Sequence, residues 1–174
     1  MTTTNAPTTR VTAPRPNLKN PVHFLAFGFG AGLSPKAPGT MGTLVALPVW
    51  WLLASGLPLW GYVVATLLVV AIGPWLCGQT AKDLGVHDHG GIVWDEIAGL
   101  LITLLALPVT GMTALLGFAA FRLFDILKPW PISWLDKNVG GGTGIMADDI
   151  LAGVLAAVCL HLLNGFYPSL LLLF

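Results

Sequence analysis

The chain has 174 residues, 55% hydrophobic and only 9% charged, with eight basic and eight acidic residues in balance. Charged residues make up about a quarter of an ordinary soluble domain, so this composition, with a mean hydropathy of +0.80, all but excludes a soluble globular domain and excludes a disordered chain. It also excludes a nucleic-acid binder built on a basic face, because eight scattered Lys and Arg neutralise few phosphates. What remains is a compact helical membrane protein of one domain.

Residues 1–21 are rich in Thr, Pro and Asn and carry only Arg10, Arg15 and Lys19. They lack the apolar stretch of a signal peptide and read as a disordered cytoplasmic tail ahead of a membrane-embedded domain over 22–174. Residues 37–81 carry no charge. One bilayer-spanning helix needs about 20 residues, so two fit, near 41–55 and 59–79, with the break at Ser55-Gly56-Leu57-Pro58. A second uncharged run, 97–121, is interrupted by Leu107-Pro108-Val109-Thr110-Gly111. It reads either as a hairpin of two short helices, re-entrant or buried against their neighbours, or as one Pro-kinked span that would put Asp95 and Glu96 opposite Asp125. The third run, 150–174, is broken at Asn164-Gly165 and Pro168. If every run goes in and comes back, all charges end on one face, cytoplasmic by the positive-inside rule. The expected architecture is an all-α, polytopic bundle of five to six helices, some short or re-entrant. Cys77 and Cys159 sit in apolar runs and read as small core residues. Trp50, Trp51, Trp75, Trp94, Trp130 and Trp134 fit an interfacial belt.

With so few charges, ionisable residues at membrane boundaries mark function. Asp95-Glu96 opens one apolar run and Asp148-Asp149 opens another. Asp95, Gly99 and Thr103 are spaced to share one helix face, as are Asp149, Gly153 and Ala157. Small residues at four-residue spacing let membrane helices approach closely, so packing these two stripes together would gather both acid pairs at one end. Acids at a helix start also complement the macrodipole, which accounts for one acid per helix better than for adjacent pairs on two. A carboxylate cluster without Cys and with few His suits Mg²⁺, which takes oxygen ligands and keeps waters for a phosphate-bearing substrate. Arg122, Asp125 and Lys128 follow at three-residue spacing, with Arg122 and Lys128 as cations for that phosphate or all three as a local salt-bridge ladder.

Two glycine-rich stretches flank these acids. In the first, residues 28–42, Thr40 is placed to cap the following helix, and backbone amides there can hold an anion. It is neither a Walker A loop nor a GxGxxG turn. The second is Gly140-Gly141-Gly142-Thr143-Gly144. Without further context both stretches are more often flexible connectors than phosphate cradles. His87-Asp88-His89 can supply a general base or a metal ligand, or be a solvated turn; His23 and His161 read as structural or interfacial. There is no Cys-x5-Arg loop, no Gly-x-Ser-x-Gly elbow and no Asp-x-Asp pair. That leaves metal-activated water attacking phosphorus without a covalent intermediate.

Four motifs, FGFGAGLSPKAPGTMGT (27–43), AKDLGVHDHGGIVWDEIAG (81–99), FRLFDILKPWPI (121–132) and GGTGIMADDILAG (141–153), occur in this order. With them the sequence resembles the bacterial phosphatidylglycerophosphatase A family over roughly residues 22–155. The resemblance implies a multi-pass, all-α enzyme of the inner membrane. It implies Mg²⁺-dependent hydrolysis of the terminal phosphomonoester of phosphatidylglycerophosphate, with the site on the cytoplasmic face. In that framework Asp95, Glu96 and Asp149 bind Mg²⁺, and Asp148 or Asp88 is a further ligand or the general base. Lys36, Arg122 and Lys128 pair with phosphate oxygens, while Gly39, Thr40 and the backbone of 39–42 hold the phosphate at a helix N-terminus. Asp125 orients Arg122 and Lys128 or joins the metal shell, and His87 supports the site. The competing class is a small transporter or channel using boundary carboxylates for a cation. Its acids would sit in mid-span, whereas these sit at run ends beside Lys and Arg. A CDP-alcohol phosphotransferase would need an Asp-x-x-Asp-Gly string, which is absent.

Overall fold

The computed structural model describes residues 15–87 and 89–173. Asp88, and most of the expected tail, lie outside the described residues. Residues 17–20 form a turn whose Asn20 side chain caps α1 (Pro21–Ala26) by accepting from the Val22 amide. A 3₁₀ stretch, Gly28–Leu33, leads to α2 (Pro38–Gly56), α3 (Leu59–Asp83), α4 (Trp94–Thr103) and α5 (Gly111–Leu127). Then come α6 (Ile132–Asn138), α7 (Gly141–Phe166) and the short α8 (Pro168–Leu171). No strand occurs among the described residues. The long elements form where the sequence places them, with more short helices around them than the five or six expected.

Three helices, α2, α3 and α7, are long and apolar enough to cross a membrane, with 19, 25 and 26 residues. The first two meet at the expected Gly-Leu-Pro break. Residues 97–121 resolve into a hairpin, not a kinked span. Arg122 Nη1 lies 3.8 Å from Glu96 Oε1, so the run returns to the level at which it started. Its first arm, α4, has 10 residues and rises only about 15 Å, half the hydrocarbon thickness. It survives because it is enclosed: Ile97, Ala98, Gly99, Leu100, Leu101 and Thr103 are all buried.

The turn between α4 and α5 is tied to α7 and α8 by side-chain hydrogen bonds. His161 Nε2 donates to the Leu105 carbonyl at 2.9 Å, and the Thr110 hydroxyl donates to the Leu171 carbonyl at 2.6 Å. The second contact shows that the third uncharged run does not come back. α7 runs through to the far end, and α8 folds beneath the α4–α5 turn. The supposition that charges share one end still holds for this run, because nothing after Asp149 is charged.

Four local expectations change. The Gly140–Gly144 stretch is not a loop but the cap and first turn of α7. Its glycines admit α3 at van der Waals distance, since a Cβ at Gly142 would strike the Pro74 carbonyl. Thr40 does not cap α2: Ala37 does, in a left-handed conformation (φ 47°), with Pro38 opening the helix as its fixed φ favours. Trp50 and Trp94 are core residues, the latter donating from Nε1 to the Val69 carbonyl at 3.0 Å; Trp51, Trp75, Trp130 and Trp134 are exposed, as a belt requires. Cys77 is buried as expected, but Cys159 faces outward.

Candidate active site

The two small-residue stripes pack against each other. A Cβ on Gly153 would collide with the Gly99 carbonyl, and one on Gly99 would meet the Phe121 ring and the Asp149 carbonyl. Thr103 Oγ1, bonded to its own helix at the Gly99 carbonyl (2.9 Å), also reaches the Gly153 carbonyl at 3.3 Å. Inside a bilayer lipid tails are as apolar as leucine, so such close contact is what holds helices together.

This seam fixes the register of α4 on α7 and brings three acids together. Asp95, Glu96 and Asp149 each present a carboxylate oxygen, and these oxygens lie within 4.8 Å of one another. Asp149 is buried, and Asp95 and Glu96 are largely enclosed. Asp149 does not open its helix; it lies two turns inside α7, beyond the reach of the macrodipole explanation, which fades within the first turn.

The acids face a cavity of about 210 Å³ lined by six carboxylates: Asp95, Glu96, Asp125, Asp136, Asp148 and Asp149. Lys128 is the only lysine or arginine in that wall among the described residues. Lys128 is gripped by Asp136 and, at 2.7 Å, by Asp148. Burial alone would lower its pKa, but these two partners outweigh burial and raise it above the ordinary lysine range. An ammonium has three donors; two are engaged, and one is left for the cavity. Asp148 is thereby separated in role from the trio: it lines the same cavity but pairs with Lys128.

Arg122 stands behind the wall, bonded to Asp125 and near Glu96. Gly39, in the first turn of α2, closes over the same carboxylate; any Cβ there would overlap Glu96 Oε1 and crowd Arg122 Nη1. The first turn of a helix has amides without intrahelical partners, but Gly39 and Thr40 do not themselves line the cavity. Lys36 is exposed ahead of α2 and does not line the cavity. His87 lines its rim. His89 is turned away, accepting from the Gly91 amide at 3.0 Å and packing at a tilt against the Phe27 ring. Asp136 carries no role in the sequence reading, yet it holds Lys128 in place; the signal was its place in a chain with only eight acids.

The donor set fits a hard divalent cation. All three clustered groups are carboxylates, and Glu96 Oε2 is buried without a hydrogen-bond partner among the described residues, which is costly for an acceptor left uncompensated. A phosphate dianion entering a cavity walled by six carboxylates also needs a compensating positive charge beyond one lysine.

The family model described as phosphatidylglycerophosphatase A matches residues 24–164. The chain is 53% identical over 155 residues to phosphatidylglycerophosphatase A of Escherichia coli (strain K12), covering 88% of this chain and 90% of that one. It is 46% identical over 143 residues to phosphatidylglycerophosphatase A of Haemophilus influenzae, covering 82% and 88%. No solved structure matches it.

Proposed function

The chain belongs to the phosphatidylglycerophosphatase A family, a family of phosphoric monoester hydrolases, and we propose that it releases the terminal phosphate of phosphatidylglycerophosphate with Mg²⁺ held by Asp95, Glu96 and Asp149. The observation that carries this reading is the convergence of those three carboxylates, from two helices, on one wall of an acid-lined cavity. Bound there, the ion would polarise the phosphoryl oxygens and offset their charge.

The remaining roles belong to this chain's own residues. Lys128 directs its free donor to a phosphoryl oxygen, stabilising charge as the bond to phosphorus breaks. Arg122 keeps Glu96 and Asp125 in place. Water adds to phosphorus, and its proton passes to Asp148, which lines the cavity outside the trio. The glycerol oxygen leaves toward the rim, where His87 supplies its proton. Asp88 neighbours that rim in sequence and is the other candidate base. The positive-inside rule puts this end of the bundle, with the seven basic residues that are described lying in the segments around it, on the cytoplasmic face of the bacterial inner membrane. The acyl chains then stay in the bilayer while the headgroup reaches the acids.

The test is phosphate release from phosphatidylglycerophosphate by the purified protein in detergent micelles, with Mg²⁺ and with excess EDTA. Release that needs Mg²⁺, and is lost in Asp95→Asn and Glu96→Gln proteins that remain folded, supports the reading. Full activity in either variant refutes the ligand assignment. No release from a folded wild type, together with cation flux in liposomes, would favour a transporter.

A further inference from the structure

The acid cavity has a neighbour. A second cavity, about 410 Å³, runs between the C-terminal half of α3 and the first turn of α7. It is lined by Trp75, Gly78, Lys82, His87, Gly142 and Thr143, among others. Among the described residues, His87 is the one residue common to both cavities, and its ring stands over the start of α7, with Nε2 3.4 Å from where a Gly140 Cβ would be. The two cavities therefore adjoin at the rim where the leaving oxygen was placed.

Their chemistry differs. The first is walled by carboxylates; the second carries no carboxylate among its described lining residues and one cation, Lys82. Lys82 is exposed and makes no ion pair among the described residues. Trp75, two turns deeper on α3, is exposed on a helix apolar enough to cross a membrane. A tryptophan below a lysine is the arrangement of a membrane interface, the ring at headgroup level and the ammonium above it. The groove thus leads from the lipid boundary to the acid cavity.

A lipid carrying a phosphodiester, a glycerol and a terminal phosphomonoester has two anionic groups joined by a short spacer. If the monoester occupies the acid cavity, the spacer passes His87 and the diester falls in the groove beside the unpaired lysine. We propose that the α3–α7 groove binds the glycerol and phosphodiester of the lipid substrate, with Lys82 pairing with the phosphodiester oxygens and selecting lipids that bear both phosphates. The proposal rests on the phosphatase reading above and extends it to substrate selection.

The experiment measures KM and kcat for phosphatidylglycerophosphate in nonionic detergent micelles without bulk phospholipid, for wild type, Lys82→Gln and Lys82→Arg, together with inhibition by inorganic phosphate. Lys82 is exposed, so both variants should fold; thermal melts check this. The expected result is a KM raised about tenfold in Lys82→Gln, the lower range for loss of a charge-assisted hydrogen bond. Its kcat and its phosphate inhibition constant should stay within about twofold, and Lys82→Arg should stay near wild type. An unchanged KM in Lys82→Gln overturns the proposal, as does an equal weakening of phosphate inhibition, which would mean a diffuse charge effect. An effect seen only after anionic bulk lipid is added would make Lys82 a membrane-surface anchor and also overturn it. If the wild type releases no phosphate, it is the phosphatase reading that fails.

Discussion

Gly153→Ala is the sharpest test of how the fold makes the site. Alanine is the better helix former by roughly 1 kcal/mol, so helix propensity alone predicts stabilisation. The new methyl, however, would occupy the space of the Gly99 carbonyl, carbonyl carbon and Cα. These are backbone atoms of α4, which can yield only by moving the whole helix. Overpacking of that kind costs about 1–3 kcal/mol, so the net change is a loss of about 0–2 kcal/mol and the protein should still fold. Function should suffer more. α4 carries Asp95 and Glu96 while α7 carries Asp149, so separating the helices pulls the carboxylate trio apart, and a misplacement of about 1 Å can cost about 10²-fold in rate. The measurements are kcat in detergent micelles, the Mg²⁺ concentration at half-maximal rate, and the thermal midpoint. Gly165→Ala, in the last turn of the same helix with open space around its Cβ position, is the control and should be neutral or stabilising. Wild-type kcat and Mg²⁺ response in Gly153→Ala would refute the claim that this seam sets the geometry of the site.

Other substitutions separate ligands from supports. Glu96→Gln should lower kcat by more than about 100-fold while the protein remains folded, because Glu96 Oε2 has no protein partner to lose among the described residues; activity assays beside thermal melts check this. Arg122→Met should raise the Mg²⁺ requirement about 10–100-fold, the usual effect of removing a group that orients a metal ligand, and a Mg²⁺ titration of the rate reads it. Ala37→Gly should raise thermal stability by about 1 kcal/mol, since alanine is held there at φ 47°, where glycine bears no steric cost. The Lys128 pairing contributes stability that is complete below the unfolded lysine pKa of about 10.4. It is lost only as pH rises through the higher folded value, so stability from this group should be flat between about pH 6 and pH 9. A thermal midpoint that falls in that range in wild type but not in Lys128→Met would contradict it.

Much of this was legible in the sequence because charge is scarce. The first and third uncharged runs located the long helices, and the Asp95-Gly99-Thr103 and Asp149-Gly153 spacings forecast the α4–α7 seam and a meeting of both acid pairs, of which Asp95, Glu96 and Asp149 cluster while Asp148 pairs with Lys128. What was not legible depends on third partners. Period and spacing say which residues share a face, but not that Pro74 of α3 packs on Gly142, and so the glycine stretch read as a loop when it is helix. They show that Arg122, Asp125 and Lys128 can align, but not that Lys128 turns away to Asp136 and Asp148 on other helices. The fate of the third run was hidden for the same reason. The bonds from Thr110 and Thr113 to the Leu171 carbonyl show that α8 packs beneath the α4–α5 turn.

The short α4 explains why the acids can lie where they do. A carboxylate on a full-length membrane helix is normally confined to its ends, because desolvation at depth is expensive. α4 begins at the acids and is enclosed by α2, α3, α5 and α7, so Asp95 and Glu96 face protein and a polar cavity instead of lipid. The same enclosure needs closely packed backbones, which explains glycine at 39, 99 and 153, each against a site residue or the helix that carries one. Widening any of these contacts would let lipid or water between the carboxylates. With Asp95 and Glu96 on a half-length helix and Asp149 on the glycine-packed face of α7, the bundle achieves with helices what a soluble phosphatase does with loops: it presents fixed carboxylates to one cavity.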